Sequence, residues 1–420
     1  MLRHNFTSGP INPIFPNGRT IYAAMIGGDR KDAIVLPRLL YVSMNDPGDI
    51  KAWSGTVYHL AKMLEQQGFP VEYMPNMLRD SRLWQKGMER VKAWLRGEKP
   101  APVDRRLHTA QRFAQLIEKR LQNSDAQIVY CPSSIPLALL KTDRPKVFQT
   151  DATFAGIIHQ YPELSEYRKD YIEEGHHLER IALQNCDLAI YSSHWAARSA
   201  INDYGADPAK VHVIPFGSNL GVELEERAVR DMIRQRSQQK ISLLFIGVHW
   251  QRKGGDIALQ AARLLHEKGF EVELNVVGCV PPHRDLPSFV KVQPFMDKTK
   301  PDDHRRMTGI IQNSHFLVLP SRADCTPIVV NECNSQGVPC LTSDVGGLPE
   351  MIREGVNGHF FSVTAPATAY ADTIIRYTGD DAAYGRIAMG AFREYRERLG
   401  WEASGHAVKN ALQQLMVPRN

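Results

Sequence analysis

The stretch PSRADCTPIVVNECNSQGVPCLTSDVGGLPE, residues 320–350, carries two acids, Asp324 and Glu332, around a short helical pattern that ends in glycine-rich breaks. Because seven residues separate the acids, on one helix they would lie about two turns apart and on the same face. The apolar run before them predicts a buried strand, and Pro327 favours the start of a helix. Two carboxylates placed in this way would grip opposite ends of one ligand.

Both acids also have a purely structural interpretation. Asp324 would act as the cap of the helix that follows it. Glu332 would be an exposed helical acid, although its neighbours Val329, Val330 and Cys333 make a fully solvated position unfavourable. The pattern alone leaves these alternatives open.

Short runs rich in valine, isoleucine and leucine alternate with longer amphipathic stretches along the chain. This alternation predicts parallel sheets that are covered by helices on both faces. We expect a first series of strands at 33–44, 71–74, 126–131, 146–150, 188–193 and 211–216, and a second at 241–247, 271–278, 290–295, 315–320 and 339–345.

The two series predict an α/β protein with two doubly wound Rossmann-like domains that face each other across a cleft. We expect an N-terminal domain at 1–217, a C-terminal domain at 218–398, and a final helix at 399–420 that packs back on the N-terminal domain. A chain of 420 residues is long enough for two domains. Since ligands of such sheets bind beyond the carboxyl ends of the strands, residues that follow a strand matter most.

Composition and charge exclude several classes of protein. With 43% hydrophobic and 23% charged residues and a net charge of +5, the chain is globular and lacks the charge typical of nucleic-acid binding. No apolar run approaches about 18 residues and no signal-peptide core opens the chain, which predicts a cytoplasmic protein. The six cysteines lack C-x-x-C spacing, so buried reduced thiols are expected in place of disulfides or a zinc site.

One segment, residues 79–120, is locally basic, with twelve Lys or Arg and five Asp or Glu. A solvated helical face is the simpler interpretation. The alternative is a patch for an anionic acceptor, or for peripheral contact with the inner face of a membrane.

A basic pair follows the predicted strand that ends at Gly247. Arg252 and Lys253 lie just before Gly254 and Gly255, where a helix is expected to begin. Free N–H groups at a helix N-terminus, together with two cations, would hold a diphosphate. The alternative is a surface loop with two solvated cations. Neither G-x-x-x-x-G-K-S/T nor G-x-G-x-x-G occurs, so the usual P-loop and dinucleotide-binding patterns are absent.

The order of these motifs resembles the retaining glycosyltransferases of family 4, which have the GT-B fold. The family pattern of Glu, seven residues, Glu, then G-x-P-V and GG-x-P-E corresponds here to Asp324, Glu332 and GVPCLTSDVGGLPE. The similarity covers most of residues 35–365. It implies a hexosyltransferase that moves a hexose from a nucleotide-diphosphate sugar to an acceptor hydroxyl with retention of anomeric configuration. No D-x-D occurs, which fits a reaction without a metal ion or other cofactor.

The resemblance assigns roles in the second half. It implies that Glu332 holds the ribose of the donor, that Asp324 contacts the transferred sugar and that Lys253 binds the diphosphate. The family places an arginine directly after the strand glycine, where this chain has Val248, so Arg252 is expected to take that role.

The resemblance also reaches the first half, where NDPGDIKAWSGTVYHLAKMLEQQGFPVEYMP, residues 45–75, is similar to the family's glycine loop and first helix. It implies that Gly55, with Ser54 and Thr56, brings backbone close to the donor phosphates or the reacting sugar; a helix cap by Ser54 or Thr56 is the alternative. Trp53 would stack on an acceptor or pack internally.

A further departure is Asp151, which stands where many relatives have a histidine facing the reacting sugar. It would bind sugar hydroxyls or steady positive character at the reacting carbon, or else cap the next helix. The candidate catalytic residues are therefore Asp151, Asp324, Arg252 and Lys253. The candidate donor-binding residues are Glu332, Arg252, Lys253, Cys325, Thr326, Pro327, Gly55 and Gly247, with acceptor-side candidates Trp53, Ser54 and Thr56.

Rival functions remain open at this stage. One is a nucleotide-sugar epimerase or a phosphorylase on the same fold. The other is a catalytically silent nucleotide-sugar or glycan-binding subunit, which the departures at Asp324 and Val248 favour. The expected partners are a nucleotide sugar and a hydroxyl of a glycan, a lipid-linked or a small-molecule acceptor. The base, the sugar and the acceptor are selected by loop residues that carry no transferable code.

Overall fold

The computed structural model describes residues 36–417, except for 76, 78–86, 88–90, 92–96, 98–99, 237–238, 283–284 and 294. Most of the first part of the basic segment, residues 79–99, therefore lies outside the described residues, and its role stays a prediction. Among the residues that are described, no helix is long and apolar enough to cross a bilayer.

The N-terminal half contains a parallel sheet of six strands in the order β2-β1-β3-β4-β5-β6. Its interior strands are almost entirely buried, because helices cover both faces of the sheet. The strands are β1 (Leu39–Val42), β2 (Val71–Met74), β3 (Ile128–Cys131), β4 (Lys146–Thr150), β5 (Leu188–Tyr191) and β6 (Val211–Val213).

The helices of the N-terminal half are amphipathic. The first of them buries Val57, Leu60, Ala61 and Leu64, a spacing that forms one apolar stripe against the sheet. These helices are α1 (Thr56–Gln66), α2 (Leu107–Leu121), α3 (Phe154–Gln160), α4 (Lys169–Asn185) and α5 (His194–Tyr204).

The C-terminal half contains a second parallel sheet, in the order β12-β11-β10-β7-β8-β9. Strands β7 and β10 are neighbours, and the chain leaves them toward opposite edges of the sheet, which makes this the switch point where ligands bind. The strands are β7 (Lys240–Ile246), β8 (Glu271–Val277), β9 (Val290–Gln293), β10 (Phe316–Leu319), β11 (Cys340–Ser343) and β12 (Gly358–Phe361).

The helices that follow cover this second sheet, and the last one leaves it. They are α6 (Glu226–Gln235), α7 (Gly255–Glu267), α8 (Pro301–Gln312), α9 (Val329–Asn334), α10 (Leu348–Met351), α11 (Ala367–Thr378), α12 (Asp381–Glu394) and α13 (Trp401–Leu415).

Helix α13 packs on the N-terminal half. Its residues Trp401, Val408 and Leu412 share an apolar cluster with Leu60 and Leu64 of α1. The polypeptide therefore crosses between the halves twice, and the end of the chain contributes to the N-terminal core.

These two sheets confirm the predicted fold class of two doubly wound α/β halves. All eleven expected strands are present, most of them shorter than expected. Strand β12 was not predicted, because its four residues Gly358–Phe361 form a short edge strand without the alternation or the valine-rich run that marks the others.

Candidate active site

A cavity of about 540 Å³ lies between the two sheets, at the carboxyl ends of their strands. It is lined from both halves. Of the residues expected to form the site, Gly55 does not line it, although its neighbours on both sides do. The others do: Trp53, Ser54, Thr56, Asp151, Gly247, Arg252, Lys253, Asp324, Cys325, Thr326, Pro327 and Glu332.

Asp324 lies in the connection between β10 and α9, not on a helix. Helix α9 begins only at Val329 and its N-cap is Ile328. The prediction that both acids share one helical face is therefore wrong, and so is the interpretation of Asp324 as a cap. Its carboxylate instead accepts hydrogen bonds from Lys253 Nζ at 2.5 Å and from Ser321 Oγ at 2.9 Å.

The glycine pair Gly346 and Gly347 explains how the loop of Asp324 is held. A Cβ atom on Gly346 would stand 1.8 Å from the carbonyl oxygen of Asp324, and one on Gly347 would stand 2.1 Å from that of Cys325. The amide of Gly347 donates to the Cys325 carbonyl at 2.9 Å. The glycine-rich break thus lets two backbone segments touch, which fixes the acid at the cavity wall.

Glu332 lies on α9 and its side chain is only 2% exposed. Its carboxylate pairs with the ammonium group of Lys298, which comes from the connection between β9 and α8. Lys298 was not among the predicted site residues. The rule that ligands bind beyond strand ends would have found it, because it stands five residues after the end of β9.

The second predicted cation, Lys253, follows β7 at the switch point. Its side chain is 11% exposed, and the carboxylate of Asp324, which follows the neighbouring strand β10, is 8% exposed. Gly247, directly after β7, lines the cavity beside them. The topology therefore brings together two groups that lie 71 residues apart in the sequence.

Arg252 is held differently from Lys253. Its guanidinium donates to the carbonyl of Ala323 at 2.8 Å and lies 5.3 Å from the ring centroid of Tyr161, on the N-terminal half. It lines the cavity, but its present partners are a backbone oxygen and an aromatic face.

Burial raises the pKa of the Tyr161 hydroxyl, which accepts a hydrogen bond from the Cys325 thiol.

The loop before α1 is strained. Trp53 (φ 48°) and Ser54 (φ 55°) are the non-glycine residues with positive φ in the part of the chain that the structure describes, and Gly55 (φ 89°) follows them. Gly55 is the N-cap of α1 and no side chain caps this helix, so the capping interpretation of Ser54 and Thr56 is wrong. Asn219 Nδ2 supports the loop by donating to the Ser54 carbonyl at 2.9 Å. Such strain is typical of functional sites.

Asp151 follows β4 and faces the cavity. Helix α3 is capped by Thr153, so the capping interpretation of Asp151 is wrong. Burial raises the pKa of Asp151 to about 7, the negative charge of Asp324 adds to the rise, and a hydrogen bond from the Trp53 side chain opposes it. The Trp53 ring also meets Phe216 edge-on, with centroids 5.5 Å apart. A carboxyl group with this pKa can donate or accept a hydrogen bond near neutral pH.

Direct contacts join the two halves around the cavity. The hydrogen bond and charge of Lys51 hold the pKa of Asp297 well below its usual range. The contacts are Lys51 Nζ to Asp297 Oδ2 at 2.8 Å, Ser192 Oγ to Thr326 Oγ1 at 2.6 Å and His194 Nδ1 to Glu350 Oε2 at 2.5 Å. These contacts hold the two halves together in this structure.

The sequence analysis missed several residues of the site. They lie in loops whose partners are distant in sequence, or in apolar segments that it took for core. They are Lys51, Tyr161, Phe216, Phe295, Met296, Asp297 and Lys298. Among the described residues, no group of three or more His, Cys, Asp or Glu side chains stands close enough to hold a metal ion.

Family models match both halves of the chain. Residues 55–221 match the model described as Glycosyltransferase Family 4, and residues 240–380 match the model described as Glycosyl transferases group 1. The first match begins at Gly55 and includes Asp151, and the second includes both lysine–acid pairs.

Curated relatives are distant. A D-inositol 3-phosphate glycosyltransferase from Xylanimonas cellulosilytica is 27% identical over 236 residues, which are 53% of this chain and 55% of that protein. One of the same name from Corynebacterium glutamicum is 22% identical over 66% of this chain and 68% of its own length. The chain thus spans little more than half the length of the first of these relatives.

Solved structures share the fold at low identity. Sucrose-phosphate synthase from Thermosynechococcus elongatus has a TM-score of 0.65 and 15% identity, covering 90% of this chain and 99% of the other. HepE from Anabaena, in complex with UDP, has a TM-score of 0.59 and 17% identity, covering 90% and 100%. The same protein in complex with UDP-glucose has a TM-score of 0.57 and 16% identity over the same shares.

Proposed function

Because this chain belongs to the family 4 and group 1 glycosyltransferases and has their GT-B fold, we propose that it transfers a hexose from a nucleotide-diphosphate sugar to an acceptor hydroxyl. In this proposal the reaction retains the anomeric configuration and needs no metal ion. The observation that carries it is one cavity in which two lysines and two acids from separate strand ends meet. Its volume of about 540 Å³ suits a small-molecule site.

The donor lies on the C-terminal half in this proposal. The Glu332 carboxylate accepts hydrogen bonds from the two ribose hydroxyls, since an ionised carboxylate offers about four acceptor positions. Lys253 binds the diphosphate. Asp324, held by Lys253 and Ser321, contacts hydroxyls of the transferred sugar.

The leaving diphosphate is stabilised by fixed positive groups. Lys253 stands just before α7, and the positive dipole end of that helix lies nearby. Arg252 adds a second cation at the rim of the cavity. Such groups stabilise the charge that develops as the sugar–phosphate bond breaks, which is the role a metal ion plays elsewhere.

Retention follows from the side on which the acceptor arrives. The acceptor enters from the N-terminal half, near Trp53 and Ser54, on the same face of the sugar as the leaving phosphate. The acceptor oxygen bonds to the anomeric carbon, the bond from that carbon to the phosphate oxygen breaks, and the acceptor proton passes to a donor phosphate oxygen. Asp151 binds sugar hydroxyls and steadies positive character at the reacting carbon.

Closure of the halves protects the donor from water. The contacts Lys51–Asp297, Ser192–Thr326 and His194–Glu350 join the two halves, and they can form only when the halves are together. Exclusion of water prevents hydrolysis of the donor and strengthens the electrostatic contacts inside.

The comparisons suggest the first substrates to test. One neighbour was solved with UDP and UDP-glucose, so UDP-glucose is the first donor, with GDP and ADP sugars as alternatives. Curated relatives are named for D-inositol 3-phosphate, so a phosphorylated polyol is the first acceptor, beside glycan and lipid-linked hydroxyls.

The test is release of nucleoside diphosphate from UDP-, GDP- and ADP-sugars by the purified chain, with and without these acceptors. We expect release from one donor, faster with an acceptor, and lost in Glu332→Ala. The exposed Lys268→Ala on the far end of α7 is the matched control and should keep full activity. Tight donor binding without turnover, with any of the acceptors, would instead indicate a binding subunit. The anomeric product, read by NMR, decides between retention and inversion.

A further inference from the structure

Lys298 is the one lysine of the described cavity wall whose partner is the acid that the proposed function gives to the ribose. Its ammonium group pairs with Glu332, and among the described residues no other hydrogen bond or ion pair of that group is present. The Lys298 side chain is 23% exposed and that of Glu332 only 2%. Both side chains line the cavity, and the lysine is the more exposed of the two.

This arrangement creates a conflict for a bound donor. A ribose hydroxyl that takes the Glu332 oxygen held by Lys298, Oε1, displaces the ammonium group from it. A lysine that lost its only anion inside a half-buried cavity would cost free energy, because an unpaired charge is poorly solvated there. The donor itself carries a new anion, its diphosphate, into the same cavity.

The segment that carries Lys298 also touches the N-terminal half. Its neighbour Asp297 binds Lys51 at 2.8 Å across the cavity. The half-buried imidazole of His59, on α1, has its pKa lowered to about 4, first by desolvation and then by the charge of Lys298. The ammonium group thus lies where both halves meet, and not on an outer surface.

We propose that Lys298 is a donor-binding residue that exchanges partners: it neutralises Glu332 while the cavity is empty and moves to a phosphate oxygen of the donor when the ribose takes Glu332. This inference rests on the proposed function. A flexible four-carbon stem with a point charge suits such a movement better than the planar guanidinium of arginine. In this exchange Lys298 has an anionic partner before and after the donor binds.

The exchange predicts selectivity for phosphorylated ligands. A nucleoside must displace Lys298 from Glu332 and offers it nothing in return. A nucleoside diphosphate displaces it and supplies an anion. Lys298 therefore accounts for part of the difference in affinity between UDP and uridine. This part adds to the one that Lys253 contributes.

The experiment compares UDP and uridine binding to the full chain by calorimetry, or the GDP and guanosine or ADP and adenosine pair if the wild type prefers that base. In Lys298→Met we expect the Kd for the diphosphate to rise about tenfold to a hundredfold, the loss of one charge-assisted hydrogen bond. The Kd for the nucleoside should not rise, because its competitor for Glu332 is gone. The exposed Lys300→Met in the same segment should change neither.

The proposal is overturned if Lys298→Met raises the Kd for the diphosphate and for the nucleoside by the same factor, or if it leaves the Kd for the diphosphate unchanged. Since Lys298→Met leaves Glu332 buried without a partner, a second comparison avoids a folding defect. The double variant Glu332→Gln with Lys298→Met should bind UDP more weakly than Glu332→Gln alone. Equal UDP affinities of these two variants overturn the exchange. If the wild type binds none of the three diphosphates, the proposed function itself is wrong. If the wild type turns over the donor but the variants bind the diphosphate as the wild type does, only this inference is wrong.

Discussion

The carboxyl edges of the two sheets differ in chemistry although the sheets are built alike. On the C-terminal half, two lysine–acid pairs with buried carboxylates, Lys253–Asp324 and Lys298–Glu332, hold their charges in place. The N-terminal residues that line the cavity include a strained loop around Ser54, one cation, Lys51, and a single carboxyl group, Asp151. The first edge pairs its ions within its own half, whereas the anion that pairs with Lys51 belongs to the opposite half.

The difference follows from what each edge is proposed to bind. A diphosphate is an anion of fixed shape, and preorganised charges bind it without reorganisation. Acceptor hydroxyls are neutral and varied, so a carboxyl group able to donate or accept, such as Asp151, suits them better. The strand orders agree with this division, since the switch point lies between β7 and β10 in one half and between β1 and β3 in the other.

The largest expected effect is at the paired edge. Lys253→Ala should lower the rate of donor turnover about 10²–10³-fold, because it removes a group that stabilises the leaving diphosphate. It also leaves Asp324 buried without its cation, which should cost about 3–5 kcal/mol of the free energy of unfolding. Turnover of the nucleotide sugar and urea unfolding measure the two effects.

Lys253→Arg separates these effects, because it restores a cation beside Asp324. We expect most of the stability to return while turnover stays low, since the guanidinium does not reproduce the point charge. Full turnover in Lys253→Ala would show that the C-terminal edge is not the site of the diphosphate.

The second effect tests the single carboxyl group of the opposite edge. Because the pKa of Asp151 is raised to about 7, its ionised form grows as the pH rises through 7. If this form steadies the reacting carbon, turnover should rise with pH in this range. Asp151→Asn should lower turnover about tenfold to a hundredfold and abolish this limb of the pH profile.

Stability gives an independent check of Asp151. The folded protein holds a proton on this carboxyl group up to about pH 7, whereas an unfolded aspartate loses it near pH 4. The stabilisation is therefore present at low pH and is lost as the pH rises from about 4 to about 7. Asp151→Asn should remove the part of the pH dependence of the unfolding free energy that Asp151 contributes in this range. An unchanged pH dependence would show that the pKa of Asp151 is not raised.

The third effect concerns the strained loop. Gly55→Ala should destabilise the fold by about 1–2 kcal/mol, because Gly55 has φ 89° and a Cβ atom would stand 3.1 Å from the Ile50 carbonyl. The matched control is Gly309→Ala inside α8, where nothing stands near the new atom and stability should rise by about 0.5–1 kcal/mol. Thermal unfolding of both variants measures the difference, and equal shifts in the same direction would contradict the assignment of strain.

The smallest effect tests a contact between the edges. The hydrogen bond and charge of Glu350 raise the pKa of His194 above its ordinary value. The contribution of this pair is fully present below about pH 6.5 and is lost as the pH rises through the raised pKa. Since the imidazole is 61% exposed, we expect less than about 1 kcal/mol. An NMR titration of His194 in wild type and in Glu350→Gln checks it, with the exposed His406 as reference.

The sequence predicted those features that depend on neighbouring residues along the chain. Runs of branched apolar residues placed all the strands but the edge strand β12. Glu332 and the basic residues after β7, which the motifs singled out, line one cavity. These signals depend only on neighbours along the chain.

Other features depend on contacts that the sequence does not display. Lys298 meets Glu332 from 34 residues away, and Lys51 meets Asp297 across the cavity. The left-handed backbone at Trp53 and Ser54 has no signal in their side chains, because neither residue favours it. The position of Asp324 outside α9 depended on the loop being held by Gly346 and Gly347, and spacing alone misplaced it on the helix.

The amino-acid sequence by itself determined two α/β halves, the family pattern and most of the polar residues of the cavity, because strand periodicity and strand-end position are properties of local chemistry. Only the tertiary structure decided which cation neutralises which acid and how strongly burial moves the pKa of Asp151. Charge pairing and desolvation arise when distant segments exclude water together, and no stretch of chain records that in advance.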